Sequence, residues 1–373
     1  MPIKRALETP ISFLIQFLVL QVSALLLACV FLSRPLELLF TYDKPMDFID
    51  FLQASAAWLK GQNPYDTKRF VTPPFSLLVL APWVKVHPVI TFRIFALVNF
   101  GCFAYGLHLL RRKLTAPLDN RSLWLLITLS YPTLFLIQRG NFDGLVFLGV
   151  ALFVAHPKEA VRTLGLAVAI LLKLYPALLL LPLVLQKRFR ELGGVLLLLA
   201  VLSIPFGALN LDFLDMLKLR GTRYASSENF SLTGFYSGLV DLVLAPFGFS
   251  AENHAIFPLL GLLTFTVLLA LVVRKLIRTG GNRDMAYLPF LMLVPAQVFP
   301  YVGIFGIVYI LQLESWENST AKRTAVLGAS LIAFHATAWN QLTDSSLWHA
   351  VNPLGGFLLA TAMAWPSKTS RQI

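Results

Sequence analysis

The chain has 373 residues, of which 57% are hydrophobic and only 13% charged. A soluble domain carries about a quarter charged residues, so the composition excludes an ordinary water-soluble enzyme. The net charge of +12 suggests nucleic acid only until its placement is read. Basic residues fall in short runs between apolar stretches, such as Arg111-Arg112-Lys113, Lys187-Arg188, Arg274-Lys275 and Lys322-Arg323, which is the positive-inside pattern of a membrane protein. No nucleic-acid partner is expected.

In chain order, the first apolar run, 11–33, is too long for a signal-peptide core and lacks a convincing cleavage site, so it reads as an uncleaved first span. A long outer loop, 34–87, follows. Its segment 47–59 has apolar residues at helical spacing, Phe48, Phe51, Leu52 and Trp58 among them, and suits a helix lying in the interface. Gly61 and Pro64 end that helix, Thr72-Pro-Pro74 comes next, and 75–86 reads as a second interfacial segment. Further spans are expected near 88–110, 122–137, 143–156, 162–173, 174–186 and 192–208. A second long outer loop covers 209–254, and spans near 255–273, 286–299, 300–313, 324–340 and 349–366 complete the chain. The expected fold is an all-α polytopic bundle of about twelve spans, given about 30 Å of hydrocarbon to cross, forming a single membrane domain over 1–373. With both termini inside, the whole positive excess of +12 falls on the inner side. The weakest stretch, 161–186, is basic at both flanks, so it is read as a hairpin of two short helices turning near Lys173-Leu-Tyr-Pro176. Such interrupted helices are tolerated where they are buried or line a polar cavity.

The informative charges lie at the outer ends of these spans. Asp47 and Asp50 are three apart, so a helix places them on one face. Two roles are open to Asp47: general base for a sugar acceptor hydroxyl, or a cap at the helix N-terminus. Asp50 is read as solvated or paired rather than as the base. Lys173 sits in an otherwise apolar stretch, where an ionisable group costs about 2.5–3.5 kcal/mol on insertion scales, so it needs an anionic partner. That partner is either a lipid phosphate or an Asp of a neighbouring helix. Arg93 and Arg139-Gly-Asn-Phe-Asp143 pose the same question, with a buried Arg–Asp pair as the alternative. Arg220 and Arg223 can grip a phosphate bidentately, or can be surface cations. His335, His254 and His349 lie in or near the outer halves of their spans, where a lone histidine is commonly structural. Cys29 and Cys102 fall inside apolar runs and argue against a disulfide framework. Zinc spacings and Walker-type loops are missing from the sequence, and neither metal nor cofactor is expected.

The run Asp47-x13-Gly61-x2-Pro64-Tyr65 followed by Thr72-Pro-Pro74 resembles the first outer loop of the GT-C superfamily of membrane glycosyltransferases, most nearly that of family 87, the polyprenyl-phosphate-mannose-dependent mannosyltransferases. Arg139-Gly-Asn141 and Lys173-Leu-Tyr-Pro176 are similar, in the same order, to segments of the GPI mannosyltransferase of the endoplasmic reticulum. The resemblance covers about residues 43–190. It implies an inverting transfer, metal-independent or weakly metal-dependent. A sugar (mannose, or another such as arabinose) would pass from a polyprenyl-phosphate donor to a lipid-linked or glycan acceptor. The resemblance places the loop general base on Asp47 and a donor-phosphate ligand on Lys173; Arg139, Arg220 and Arg223 are candidates, from the residues themselves, to assist at the phosphate. A C-terminal histidine, His335 or His349, would sit near the aspartate. Asp50, Tyr65, Asn141, Asp143 and Tyr175 are expected to contact substrate. Relatives often carry Asp-x-Asp where this chain has Pro45-Met-Asp47, which argues against a metal bridge. The expected location is a plasma (inner) membrane with the site facing the periplasm or outside, among membrane lipids. The competing reading is a transporter or flippase of a lipid-linked intermediate.

Overall fold

The computed structural model describes residues 46–67, 69–112, 130, 132–133, 136, 139–220, 231–244, 247, 256–279, 285–293, 302–303, 305–306, 319–333 and 347–364. The described residues are helical or irregular, without strands. They divide into two compact units.

The first unit is drawn from Phe40–Lys113 and Phe135–Gly221. It opens with α1 (Met46–Leu59), at the position expected for the first interfacial helix. The second interfacial segment is broken into a 3-10 turn, Pro74–Ser76, a single helical turn α2 (Leu77–Leu80) and another 3-10 turn, Ala81–Trp83. Pro82 supplies no backbone donor, and that limits the length of any regular helix there. The long helix α3 (Pro88–Arg111) begins on a proline, where the missing N–H costs nothing. Next come α4 (Asp143–Ala155), α5 (Glu159–Leu172), the 3-10 segment Tyr175–Leu179, α6 (Leu180–Leu185), α7 (Phe189–Ser203) with a 3-10 end at Ile204–Phe206, and α8 (Leu209–Arg220).

Small residues let these helices approach closely. A Cβ added to Gly149 would lie 2.5 Å from the Gly165 carbonyl oxygen, and one on Gly106 would lie 2.8 Å from the Phe147 ring. On the side expected to face the cytoplasm, Glu191 is buried between two arginines. Arg162 binds it through Nε at 3.1 Å and a terminal nitrogen at 2.6 Å, and Arg188 through Nε at 2.9 Å. Two guanidinium forks on one carboxylate supply the pairing that a buried charge requires.

The second unit contains α9 (Leu232–Leu244), α10 (Ile256–Thr279), a 3-10 segment over Met285–Met292 with Pro289 inside it, α11 (Ser319–Ala333) and α12 (Leu347–Ala364). Gly328 and Gly355 bring α11 and α12 together, each backbone within 3 Å of where the other's Cβ would stand. Phe235 of α9 stacks on Phe357 of α12, with centroids 5.1 Å apart.

Among the described residues three helices are long and apolar enough to cross a membrane: Pro88–Leu110, Phe189–Phe206 and Ile256–Ile277. Leu97, Ile204 and Leu263 on these helices are more than 60% exposed, an arrangement suited to hydrocarbon rather than water. Helices α4 and α5 have nearly the short lengths expected for 143–156 and 162–173. At 1.5 Å per residue, α4 and α5 fall short of a full bilayer, and the expected span 286–299 begins as a 3-10 segment. The spans expected at 11–33, 122–137 and 300–313 lie largely outside the described residues. The stretch 209–254, read as a long connection, holds two helices, α8 and α9.

Candidate active site

The residues of interest meet within the first unit, around the segment Arg139-Gly-Asn-Phe-Asp143. Asp47 is in the first turn of α1, where the helix dipole favours a carboxylate. Its Oδ2 accepts a hydrogen bond from Asn141 Nδ2 at 2.8 Å, and its Oδ1 faces an Arg139 nitrogen at 3.9 Å. A quarter of the side chain remains exposed, so the carboxylate can be reached.

Asn141 is itself fixed. Its Oδ1 accepts the Phe142 N–H at 2.8 Å, and its backbone carbonyl accepts from Asn99 Nδ2. Asn99 in turn accepts the Leu145 N–H on Oδ1 at 3.0 Å, which ties the entry of α4 to α3. Gly140 makes the turn possible. Its φ is +64°, and a Cβ there would stand 2.7 Å from Phe48 Cβ and 3.0 Å from the Phe92 ring. Only glycine suits both the left-handed backbone and the space.

At the other end of the segment, Asp143 is 1% exposed. Tyr175 donates its hydroxyl to Oδ1 at 2.6 Å. Oδ2 has no hydrogen-bond partner among the described residues and faces Lys173 Nζ at 4.0 Å. Lys173 stands where α5 stops, in extended backbone (φ −150°, ψ 138°). Pro176 explains the stop, since its ring cannot donate to the Leu172 carbonyl and disfavours helix before it. The break falls where the sequence placed the turn. The Lys173 ammonium lies 5.8 Å from the centre of the Phe51 ring, which stacks on Phe142 at 4.7 Å. One helix, α1, thus supplies both the exposed carboxylate and the ring beside the lysine.

Of the residues singled out from sequence, Asp47, Arg139, Asn141, Asp143, Lys173 and Tyr175 come together here. Asp50 leaves the group and pairs with Arg69 at 3.8 Å. Arg93 is exposed on α3. Tyr65 is buried and donates its hydroxyl to the Thr72 carbonyl at 2.9 Å, so it braces its own loop. Burial, and then the charge of Asp212, push its phenol above the usual range. Arg220 ends α8 and His349 lies in α12, but their side chains are outside the described set. Arg223, His335 and His254 lie outside the described residues altogether. Sequence reasoning missed Asn99 and the role of Gly140. The signal for Asn99 was a carboxamide in an otherwise apolar span, which seldom stands without a partner.

An apolar helical chain that gathers an exposed carboxylate and a nearly buried cation at helix ends has the makings of a membrane-bound transferase. The profile of glycosyltransferase family 87 matches residues 70–299, more than half of the chain, and the chain belongs to that family. It is therefore a membrane glycosyltransferase. The matched stretch includes Asn99, the 139–143 segment and Lys173, whereas Asp47 precedes it. No curated protein matches the chain.

Proposed function

We propose that the protein transfers a sugar from a polyprenyl-phosphate donor to a lipid-linked or envelope glycan acceptor, with inversion, at the outer face of a multi-span bacterial plasma membrane. The observation that carries this reading is the 139–143 segment, which links Asp47 through Asn141 and Lys173 through Asp143. A proton acceptor and a stabiliser of negative charge are thereby held on one short peptide, as an in-line displacement requires.

Asn141 anchors Oδ2 of Asp47, and Oδ1 lies beyond hydrogen-bond distance of Arg139. Oδ1 takes the proton of the acceptor hydroxyl while the hydroxyl oxygen bonds to the anomeric carbon. The bond from that carbon to the phosphate oxygen breaks from the opposite side, and its electron pair stays on the polyprenyl phosphate. Lys173 meets the charge that develops there, in surroundings poor in water where such stabilisation is strong. Arg139 and Arg220 assist at the phosphate. Asn141 and Gly140 hold the base in line, supplying the proximity effect.

The test is to incubate the purified protein in nanodiscs with a panel of polyprenyl-phosphate sugars and acceptor lipids, and to follow release of polyprenyl phosphate. Asp47→Asn is expected to slow release by about 10²–10⁴-fold, the usual worth of a general base, with donor binding retained. Full activity in that variant refutes the role of Asp47. In proteoliposomes of the same lipids, movement of intact donor across the membrane without cleavage refutes the transferase chemistry in favour of a flippase.

A further inference from the structure

The Asp143 carboxylate is nearly sealed from solvent and only half satisfied. Tyr175 serves Oδ1 at 2.6 Å, while Oδ2 lacks a hydrogen bond among the described residues. Lys173 Nζ, the cation paired with it among the described residues, stands at 4.0 Å, close enough to attract but too far to donate a hydrogen bond. Asp47 is near enough for its charge to act on Asp143 as well. Asp47 in turn faces Arg139 at 3.9 Å. A carboxylate left in that state is a poor final partner for an ammonium and a good provisional one.

We infer that Asp143 is a resident counter-ion from which the donor phosphate takes Lys173, making it a positioning residue that acts through the lysine and does not itself touch the sugar. This rests on the reading of Lys173 as the phosphate ligand. Without donor, Asp143 holds the lysine beside the Phe51 ring. When a phosphate arrives, the ammonium turns toward it, and Asp143 remains as a like charge behind the lysine. Tyr175 steadies the carboxylate through Oδ1 in both states. After transfer, repulsion between Asp143 and the polyprenyl phosphate favours product departure and return of Lys173. Asp143 therefore weakens phosphate binding and speeds turnover.

The test measures equilibrium binding of a short-chain polyprenyl phosphate to the full-length protein in nanodiscs, together with KM and kcat for transfer. Asp143→Asn retains an oxygen for Tyr175 and removes the charge. It is expected to bind the phosphate on the order of tenfold tighter, from charges a few ångströms apart in a partly shielded site, with a lower kcat. Asp143→Glu carries the carboxylate onto Lys173 and is expected to bind more weakly than the wild type. That second variant keeps the inference open to refutation if the asparagine form does not fold. In Lys173→Met binding is lost, and adding Asp143→Asn does not restore it. Binding that needs Lys173 but is unchanged or weakened in Asp143→Asn overturns the counter-ion role and leaves the transferase reading standing. A wild type that does not bind polyprenyl phosphate, or binds it equally well without Lys173, overturns both.

Discussion

Replacing Gly140 by alanine tests the geometry of the site without touching a charged group. Two costs add. A non-glycine residue in the left-handed region loses about 1–2 kcal/mol, and Gly140 has φ +64°. The new methyl would stand 2.7 Å from Phe48 Cβ, and overpacking of this kind costs about 1–3 kcal/mol more. The expected loss is thus about 2–5 kcal/mol. Gly61 separates the two contributions: its φ is +75°, but nothing lies within 4 Å of its would-be Cβ. Gly61→Ala should therefore lose only the backbone part, about 1–2 kcal/mol. Equilibrium unfolding of both variants in mixed micelles measures the difference directly. Gly140→Ala should also displace Asn141 from Asp47, and an error near 1 Å in a catalytic group can cost about a hundredfold in rate. Equal losses in the two variants, or undiminished transfer in Gly140→Ala, would refute the reasoning.

Three further expectations concern stability. Tyr65→Phe leaves the Thr72 carbonyl without its donor and should cost about 1–3 kcal/mol. Because the folded-state pKa of Tyr65 lies above its ordinary 10.0, its contribution is complete below that pH and is lost as pH rises beyond it; that part of the alkaline destabilisation should vanish in the phenylalanine variant, as followed by unfolding midpoints. Gly149→Leu must part α4 from α5 and is expected to be among the most destabilising glycine substitutions, whereas Gly193, with nothing within 4 Å, should accept alanine with a gain of about 0.5–1 kcal/mol; a reversed order in thermal unfolding refutes the packing account. Glu191→Ala strands two guanidinium groups and should cost about 3–5 kcal/mol, while Arg162→Ala leaves Arg188 in place and should cost less, an order that denaturant titration checks.

The local parts of this architecture were readable in the sequence, and the non-local parts were readable only as a list of suspects. Apolar periodicity and proline placement identify α1, α3 and the break at Lys173 because the forces involved act within a few residues. Asp47, Asn141, Asp143, Lys173 and Tyr175 stood out because charge and hydrogen-bonding capacity are conspicuous beside hydrocarbon. Their grouping was not legible, since Asp47 and Asn141 are 94 positions apart and no local pattern encodes that pairing. Tyr65 belongs to a recognisable motif, yet its hydroxyl turned inward to Thr72, a choice set by burial against Phe70 and Phe213. Helix α8 was overlooked because it mixes Asp212, Asp215 and Lys218 with its leucines, so it shows neither a span's apolarity nor an evident turn.

The five-residue segment behaves as a fixed-jaw calliper. Asn141 and Asp143 are two positions apart, so their α-carbons cannot be separated by more than about 7 Å. One jaw holds Asp47 and the other Lys173, the proton acceptor and the phosphate ligand of the proposed transfer. On that reading the acceptor hydroxyl and the donor phosphate are met by groups anchored to one short peptide, whatever sugar lies between them. Discrimination among sugars would then fall to the walls around the calliper, and exchanging one sugar for another would leave the jaws undisturbed.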